Sequence, residues 1–432
     1  MRLRGRSKGA TPDAAAAAES LPGTTAGGVH SPAGMARDPA SGAAEIAAEL
    51  AASKGPGKGT EKAPKGAGAK NPKASSPKAS GPKARASGMK SSGVKAISLA
   101  LQGGGAHGAF TWGVVDRLLQ EDRLVISGIS GTSAGAMNAV VLASGLAKGD
   151  REQARGALTQ FWRDVSRDGR MSPIQRSAFD RLMGNWSLAK NPAYLAMEVA
   201  ARFFSPYDFN PLNINPLREI IDAHVDFEAI RASDVKVFIS ATNVHTGRAR
   251  IFGHTEMTAD AVMASACLPF LFQAVEIDGV PYWDGGYMGN PPLFPLYEKA
   301  DADDILLVQI NPVVREQTPR TAAEIQNRIN EITFNASLLS QLRAIDHATQ
   351  LIEQGLLTRW TLGGSGYRRV RLHRIGTDQL VDFDLSSKLN AEWAFLQHLR
   401  DVGRKAAEDF LAAHFDDLGK RSTLDLRLEL AD

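Results

Sequence analysis

Residues 124–146 read LVISGISGTSAGAMNAVVLASGL. The first seven suit a buried strand and the last thirteen, from Ala134 to Leu146, an apolar helix. Between them stands Gly131-Thr132-Ser133-Ala134-Gly135, a G-x-S-x-G string with no space for a loop. The chain must therefore turn from strand to helix within a few residues, which puts the serine at the apex under backbone strain. Glycines two positions to either side, Gly131 and Gly135, let the backbone pass without a Cβ clash. The Ser133 hydroxyl is then exposed near a helix N-terminus, where a developing oxyanion is favoured. Ser133 is the expected nucleophile.

Upstream, VKAISLALQ (94–102) is a short apolar run that ends in Gly103-Gly104-Gly105-Ala106-His107-Gly108. Phe110, Val114, Leu118 and Leu119 follow at helical spacing. As a G-x-G-x-x-G string the loop invites a dinucleotide reading, but that reading wants a carboxylate about 20 residues on, at the end of the next strand. Here that strand ends in Ser130 and the elbow. A P-loop also fails, since no Gly-Lys-Ser/Thr closes the turn. The remaining use of bare amides beside a nucleophile is an oxyanion hole, formed by Gly103, Gly104 and Gly105 with Gly108 closing the turn. Strand, glycine turn, helix, strand, sharp turn, helix is the opening of an α/β fold with a mainly parallel sheet covered by helices. Further strands are expected at 235–242, 248–252, 274–277 and 305–310. Beyond Pro312 the chain reads mainly helical, over 322–354 and 387–414, with a strand at 367–374 between them.

A serine nucleophile needs a base. Asp284, in Trp283-Asp284-Gly285-Gly286, follows a short hairpin and precedes Pro291-Pro292. It reads either as a carboxylate with open space around it or as an Asx-turn with a structural role, and Gly286 supports both readings. A triad in the order Ser, Asp, His would draw on His347, His373, His398 or His414. None stands in a Gly- or Pro-marked loop, which disfavours a triad. Cys267 reads as a small buried helix residue rather than a second nucleophile.

The 432-residue chain is two polymers in composition. All 29 aromatics lie beyond residue 94, so residues 1–94 cannot build a core and read as a disordered tail. Between 51 and 94 stand ten Lys/Arg against one acid, Glu61, in a Lys/Pro/Ala/Gly/Ser repeat typified by Pro72 to Lys83. It is either a solvated tether or a dock for an anionic surface. The remainder is mildly acidic, so nucleic acid is not the expected main partner. No secretory h-region follows Met1, and Met35 and Met89 are alternative starts. The single cysteine precludes an internal disulfide and fits a reducing, cytoplasmic setting, with peripheral attachment to a membrane or storage granule open. No stretch reaches the roughly 18 apolar residues of a spanning helix. Three regions are expected: the tail (1–94), a catalytic domain (95–315) and a mainly helical C-terminal region (316–432) packed on it. Within the second, the aromatic and proline-rich segment 172–215 reads either as a lid over the site or as helices packed on the sheet edge.

The Gly-rich loop, the G-x-S-x-G elbow and Asp-Gly-Gly stand in this order, with Ala264-Ser265-Ala266-Cys267-Leu268-Pro269 between the last two. Together they resemble the patatin-like phospholipase family over residues 95–312, about half of the chain. The resemblance implies a three-layer α/β fold and a Ser-Asp dyad, with Ser133 as nucleophile and Asp284 as general base. It further implies an acyl-ester hydrolase acting on phospholipids or related lipids, with no metal or other cofactor. The family usually has Arg or Lys where this sequence has His107, so a permanent charge beside the loop is replaced by a group that titrates near 6.5. His107 is then either a supporting residue or merely a helix start. The alternatives are a hydrolase of stored polyester and a surface- or granule-targeted binding protein on a hydrolase-like fold.

Overall fold

The computed structural model describes residues 93–356 and 369–430. The expected tail lies outside the described residues apart from Gly93 and Val94. Among the described residues eight strands form one sheet: β1 (Lys95–Leu101), β2 (Leu124–Gly131), β3 (Lys236–Asn243), β4 (Ala249–Phe252), β5 (Val275–Ile277), β6 (Val280–Asp284), β7 (Asp304–Val308) and β8 (Arg371–Ile375). The order is β5-β6-β3-β2-β1-β7-β8, with β4 on β3. β8, β7, β1, β2 and β3 run parallel, whereas β4, β5 and β6 are antiparallel additions at one end. The β5–β6 hairpin turns at Asp278 and Gly279, both at positive φ (52° and 76°), the conformation a two-residue turn needs to match strand twist.

The early helices are α1 (Gly108–Leu118), α2 (Ala134–Lys148), α3 (Arg151–Gly169), α4 (Ala178–Leu182), α5 (Pro192–Ala200) and α6 (Pro206–Phe209). They are followed by α7 (Pro216–His224), α8 (Phe227–Ala232), α9 (Ala259–Ser265), α10 (Phe294–Lys299), α11 (Ala322–Glu353), α12 (Trp393–His414) and α13 (Leu426–Glu429). β1 shows why the fold has three layers. Ile97, Leu99 and Leu101 join a core with Phe110, Val114, Val140 and Leu399 from α1, α2 and α12. Ala100 joins a second core with Leu296, Leu338 and Leu342 from α10 and α11. A strand covered on both faces is mainly apolar on both, as KAISLAL is from Ile97 onward apart from the buried Ser98. α1 and α12 meet at backbone contact: a Cβ on Gly113 would overlap the Arg400 carbonyl, and one on Gly403 the Phe110 carbonyl. No helix among the described residues is long and apolar enough to cross a membrane.

Two expected boundaries move. The helix read over 387–414 begins at Trp393, because Ser386–Leu389 forms a separate 3₁₀ turn in which the Ser387 hydroxyl donates to the Asp384 carbonyl (2.7 Å). The expected strand at 367–374 is β8, which begins only at Arg371, after Arg369 and Val370, and ends one residue later at Ile375; Tyr367 and Arg368 lie outside the described residues.

Candidate active site

The parallel strands deliver their loops to one end of the sheet, the usual place for a site in such folds. β2 ends at Gly131, α2 begins at Ala134, and Ser133 between them has φ 54° and ψ −122°. That positive φ is strained for a residue with a Cβ. The flanking glycines are required sterically. A Cβ on Gly131 would stand 2.5 Å from the Gly135 carbonyl oxygen, and one on Gly135 would overlap the Leu101 carbonyl and come within 2.8 Å of that of Gln102. Thr132 is held by its hydroxyl to the Gly289 carbonyl (2.5 Å), and the Ser133 amide donates to Ser265 Oγ (2.9 Å). Ser133 keeps 8% exposure.

Asp284 ends β6 and is fully buried. Its amide donates to the Cys267 carbonyl (2.7 Å), its carbonyl accepts from the Thr242 hydroxyl (2.8 Å), and its Oδ1 accepts from the Gly286 amide (2.7 Å). That last bond is the Asx-turn foreseen from Asp-Gly-Gly. Oδ2 has no hydrogen-bond partner among the described residues. Burial pushes the carboxyl up to about 7, against the pull of the Gly286 amide, the Ser133 hydroxyl and the Lys388 charge. The Ser133 hydroxyl is thus near enough to favour the carboxylate without satisfying Oδ2.

The glycine loop differs from the expectation at one position. The Gly103 amide already donates to Asn290 Oδ1 (2.7 Å), so it is committed to the scaffold rather than offered to a ligand. The amides of Gly104 and Gly105 make no hydrogen bond among the described residues. The loop is tied down by amides and a lysine from distant parts of the chain. Gln102 Oε1 accepts from the Ile310 and Asn311 amides (2.8 and 2.7 Å), and its Nε2 donates to Asn335 Oδ1 (2.9 Å). Asn311 Nδ2 donates to the Gly103 carbonyl (2.8 Å). A Cβ on Gly105, whose φ is 58°, would overlap the Lys388 carbonyl, and one on Gly108 would lie 2.7 Å from that of Ala134. Asn290, Asn311 and Lys388 were not singled out from the sequence; only Asn290, before the Pro291-Pro292 break, stands next to a local signal.

His107 is buried among Phe383 and Phe395, and its Nε2 contacts Ser387 Oγ (2.8 Å). Because the Ser387 hydroxyl hydrogen goes to the Asp384 carbonyl, Nε2 must be the donor, which assigns the Nε2–H tautomer. Burial, then the Lys388 charge, lowers the ring to about 3, so His107 is neutral at physiological pH. The other histidines are engaged elsewhere. His373 holds Asp304 and Thr423, His398 stacks on Trp186, and His414 pairs with Asp417, while His347 lies within α11. No histidine bonds Ser133 among the described residues. Cys267 lies just past α9 rather than in it; burial pushes its thiol up to about 12, far from the thiolate a nucleophile needs.

Segment 172–215 is anchored in part and bare in part. Arg176 pairs with Glu392 (2.7 Å), and Leu188 and Tyr194 are buried. Phe179, Leu182, Phe203, Leu212 and Ile214 are each more than half exposed. Tyr207 and Asn210 fasten it to Ala274 and Gln273, and beside them runs a groove of about 680 Å³ whose wall includes Ile214, Met263, Cys267, Phe272 and Val275 together with Glu219 and Asp260.

Residues 99–297 match the family model described as Patatin-like phospholipase. A comparison with curated proteins returns no match. Among solved structures, VipD from Legionella pneumophila is similar with 14% identity and a TM-score of 0.34, over 74% of this chain and 67% of that one. The type III effector protein ExoU is similar with 16% identity and a TM-score of 0.27, over 74% of this chain and 53% of that one. The chain therefore spans about two thirds of the first and half of the second.

Proposed function

As the bearer of a patatin-like phospholipase domain at residues 99–297, this chain belongs with the patatin-like phospholipases, and we propose that it hydrolyses lipid acyl esters through Ser133 and Asp284. Asp284 takes the Ser133 proton as Oγ attacks the ester carbonyl, and the Gly104 and Gly105 amides receive the oxyanion. Collapse of the tetrahedral species breaks the bond to the alcohol, which leaves with the proton from Asp284. Water, deprotonated by the same carboxylate, then attacks the acyl-serine, releasing the acid and restoring the hydroxyl. The observation that carries this reading is the fully buried Asp284, whose Oδ2 has no partner among the described residues, beside a serine held at φ 54°. A carboxyl poised near neutrality suits a general base.

The substrate class is a phospholipid, a lysophospholipid or a related acyl ester. The bare apolar side chains of 172–215 support a lid function, and the groove beside Cys267 is a path for an acyl chain. The ten Lys/Arg of residues 51–94 suit attachment to an anionic surface, which should weaken steeply with salt.

The test uses the full chain on p-nitrophenyl esters of several chain lengths and on phospholipid vesicles, beside Ser133→Ala and Asp284→Asn. Turnover is expected to fall by about a thousandfold or more in both variants. Undiminished hydrolysis by Ser133→Ala would exclude this nucleophile.

A further inference from the structure

We propose that Lys388, on the 3₁₀ turn Ser386–Leu389, is a positioning residue that supplies the positive charge of this site, held to the glycine loop through Asn311 and set beside the turn of Asp284 across the Phe334 ring. The inference rests on the reading of Asp284 as the base.

The geometry runs in both directions from the ammonium. Nζ donates to Asn311 Oδ1 (2.8 Å) and Asn330 Oδ1 (2.9 Å), and Asn311 in turn holds the Gly103 carbonyl. The backbone of the same lysine fills the space beside Gly105 that a Cβ would need. Nζ also stands 5.7 Å from the centre of the Phe334 ring, which packs so close to Gly286 that a Cβ there would overlap it. Lys388 thus links the loop that offers amides to the turn that carries the carboxyl.

Its charge is not neutralised locally. No carboxylate lies within ion-pair distance of Nζ among the described residues. Glu331, the acid nearest in influence, is taken by Arg315 and Arg328. Lys388 is half-buried, and a cation partly withdrawn from water without a counter-ion is costly unless it faces negative charge. The charged and titratable groups that face it are His107 from the loop, Glu331 from α11, Arg315 before that helix, and Asp284, which also faces Cys267 and Tyr287. His107 is neutral, so Lys388 is the cation acting on Asp284. Burial lowers Lys388 to about 8, with Glu331 and Asp284 resisting, and it stays largely protonated at pH 7.

The experiment is the pH profile of kcat/KM on a p-nitrophenyl ester for full-length wild type, Lys388→Met, Lys388→Arg and Asn330→Asp, with thermal unfolding of each. Asn330→Asp keeps the lysine and gives it a counter-ion, so it serves even if Lys388→Met folds poorly. The acid limb set by Asp284 is expected to move up by about one pH unit in Lys388→Met and Asn330→Asp, roughly a tenfold loss below the limb that is recovered at alkaline pH. Lys388→Arg should restore the limb. A uniform drop at all pH values with an unmoved limb would mean structural support only and overturn the proposal, as would profiles identical to wild type. A wild type with no esterase activity would bring down the functional reading and this inference together, whereas an active wild type with unmoved limbs would bring down the inference alone.

Discussion

Asp284 joins stability to activity through one proton. Burial raises its folded-state pKa to about 7, well above the ordinary carboxylate range. Below that range both folded and unfolded chains hold the proton and the group costs nothing. As pH rises, the unfolded chain ionises first, and the penalty on the folded state grows until the folded pKa is passed. Asp284→Asn should therefore be more stable than wild type at pH 8 by on the order of 2–4 kcal/mol and little different near pH 4, as read from denaturant midpoints at the two pH values. Equal midpoints at pH 8 would mean the carboxyl carries no such penalty. The same proton sets a rise of kcat/KM through about pH 7, with no separate inflection from His107, which is already neutral there. A histidine-like inflection near pH 6.5 that disappears in His107→Asn would contradict the buried, neutral ring. At this scale the local features were legible: the Ser133 elbow needs its two glycines for reasons written within five residues. Asn290 and Asn311 were not, because they meet Gly103 from 187 and 208 residues away. An asparagine carries no spacing signal until the fold brings it to its partner.

Among the elements, the elbow is the least tolerant. A Cβ on Gly135 meets the backbone carbonyls at the end of β1, which cannot swing aside as a side chain can. Gly135→Ala is expected to cost roughly 2–4 kcal/mol and nearly all turnover. A thermal midpoint within about 2 °C of wild type, well under the several degrees such a loss produces, would refute the clash. Periodicity located β1 to β5 and β7 to within two residues at each end, because buried strands read as apolar runs, whereas β6 was expected only as the far arm of a short hairpin. It misread the start of α12. Residues 387–392 share the helix's composition, but side-chain bonds to the backbone hold Ser387 and Asn390 in a turn. That turn brings Lys388 to the loop, so the helical pattern is broken where the site needs a contact.

For the whole molecule, the segment matching the family model ends at 297, yet the sheet does not. β7 (DILLV) is buried throughout between β1 and β8, and α12 packs on α1. A chain cut at residue 315 would leave β7 as an apolar open edge and uncover Phe110 and Trp112. Residues 90–315 are expected to aggregate or bind a hydrophobic dye without cooperative unfolding, where residues 90–432 unfold in one transition. A monomeric, cooperatively melting 90–315 would show that the C-terminal region is dispensable for folding.

The position of β8 also sets a timetable. β7 is complete at Val308, but the strand that seals it begins at Arg371, some 60 residues later. At about 5–20 residues per second, the nascent chain carries an unsealed β7 edge for on the order of 3–13 s. During that interval the elbow has formed its sequence but not its surroundings. Slower synthesis or a lack of chaperones is therefore expected to lower the yield of this protein even where its final stability is unchanged.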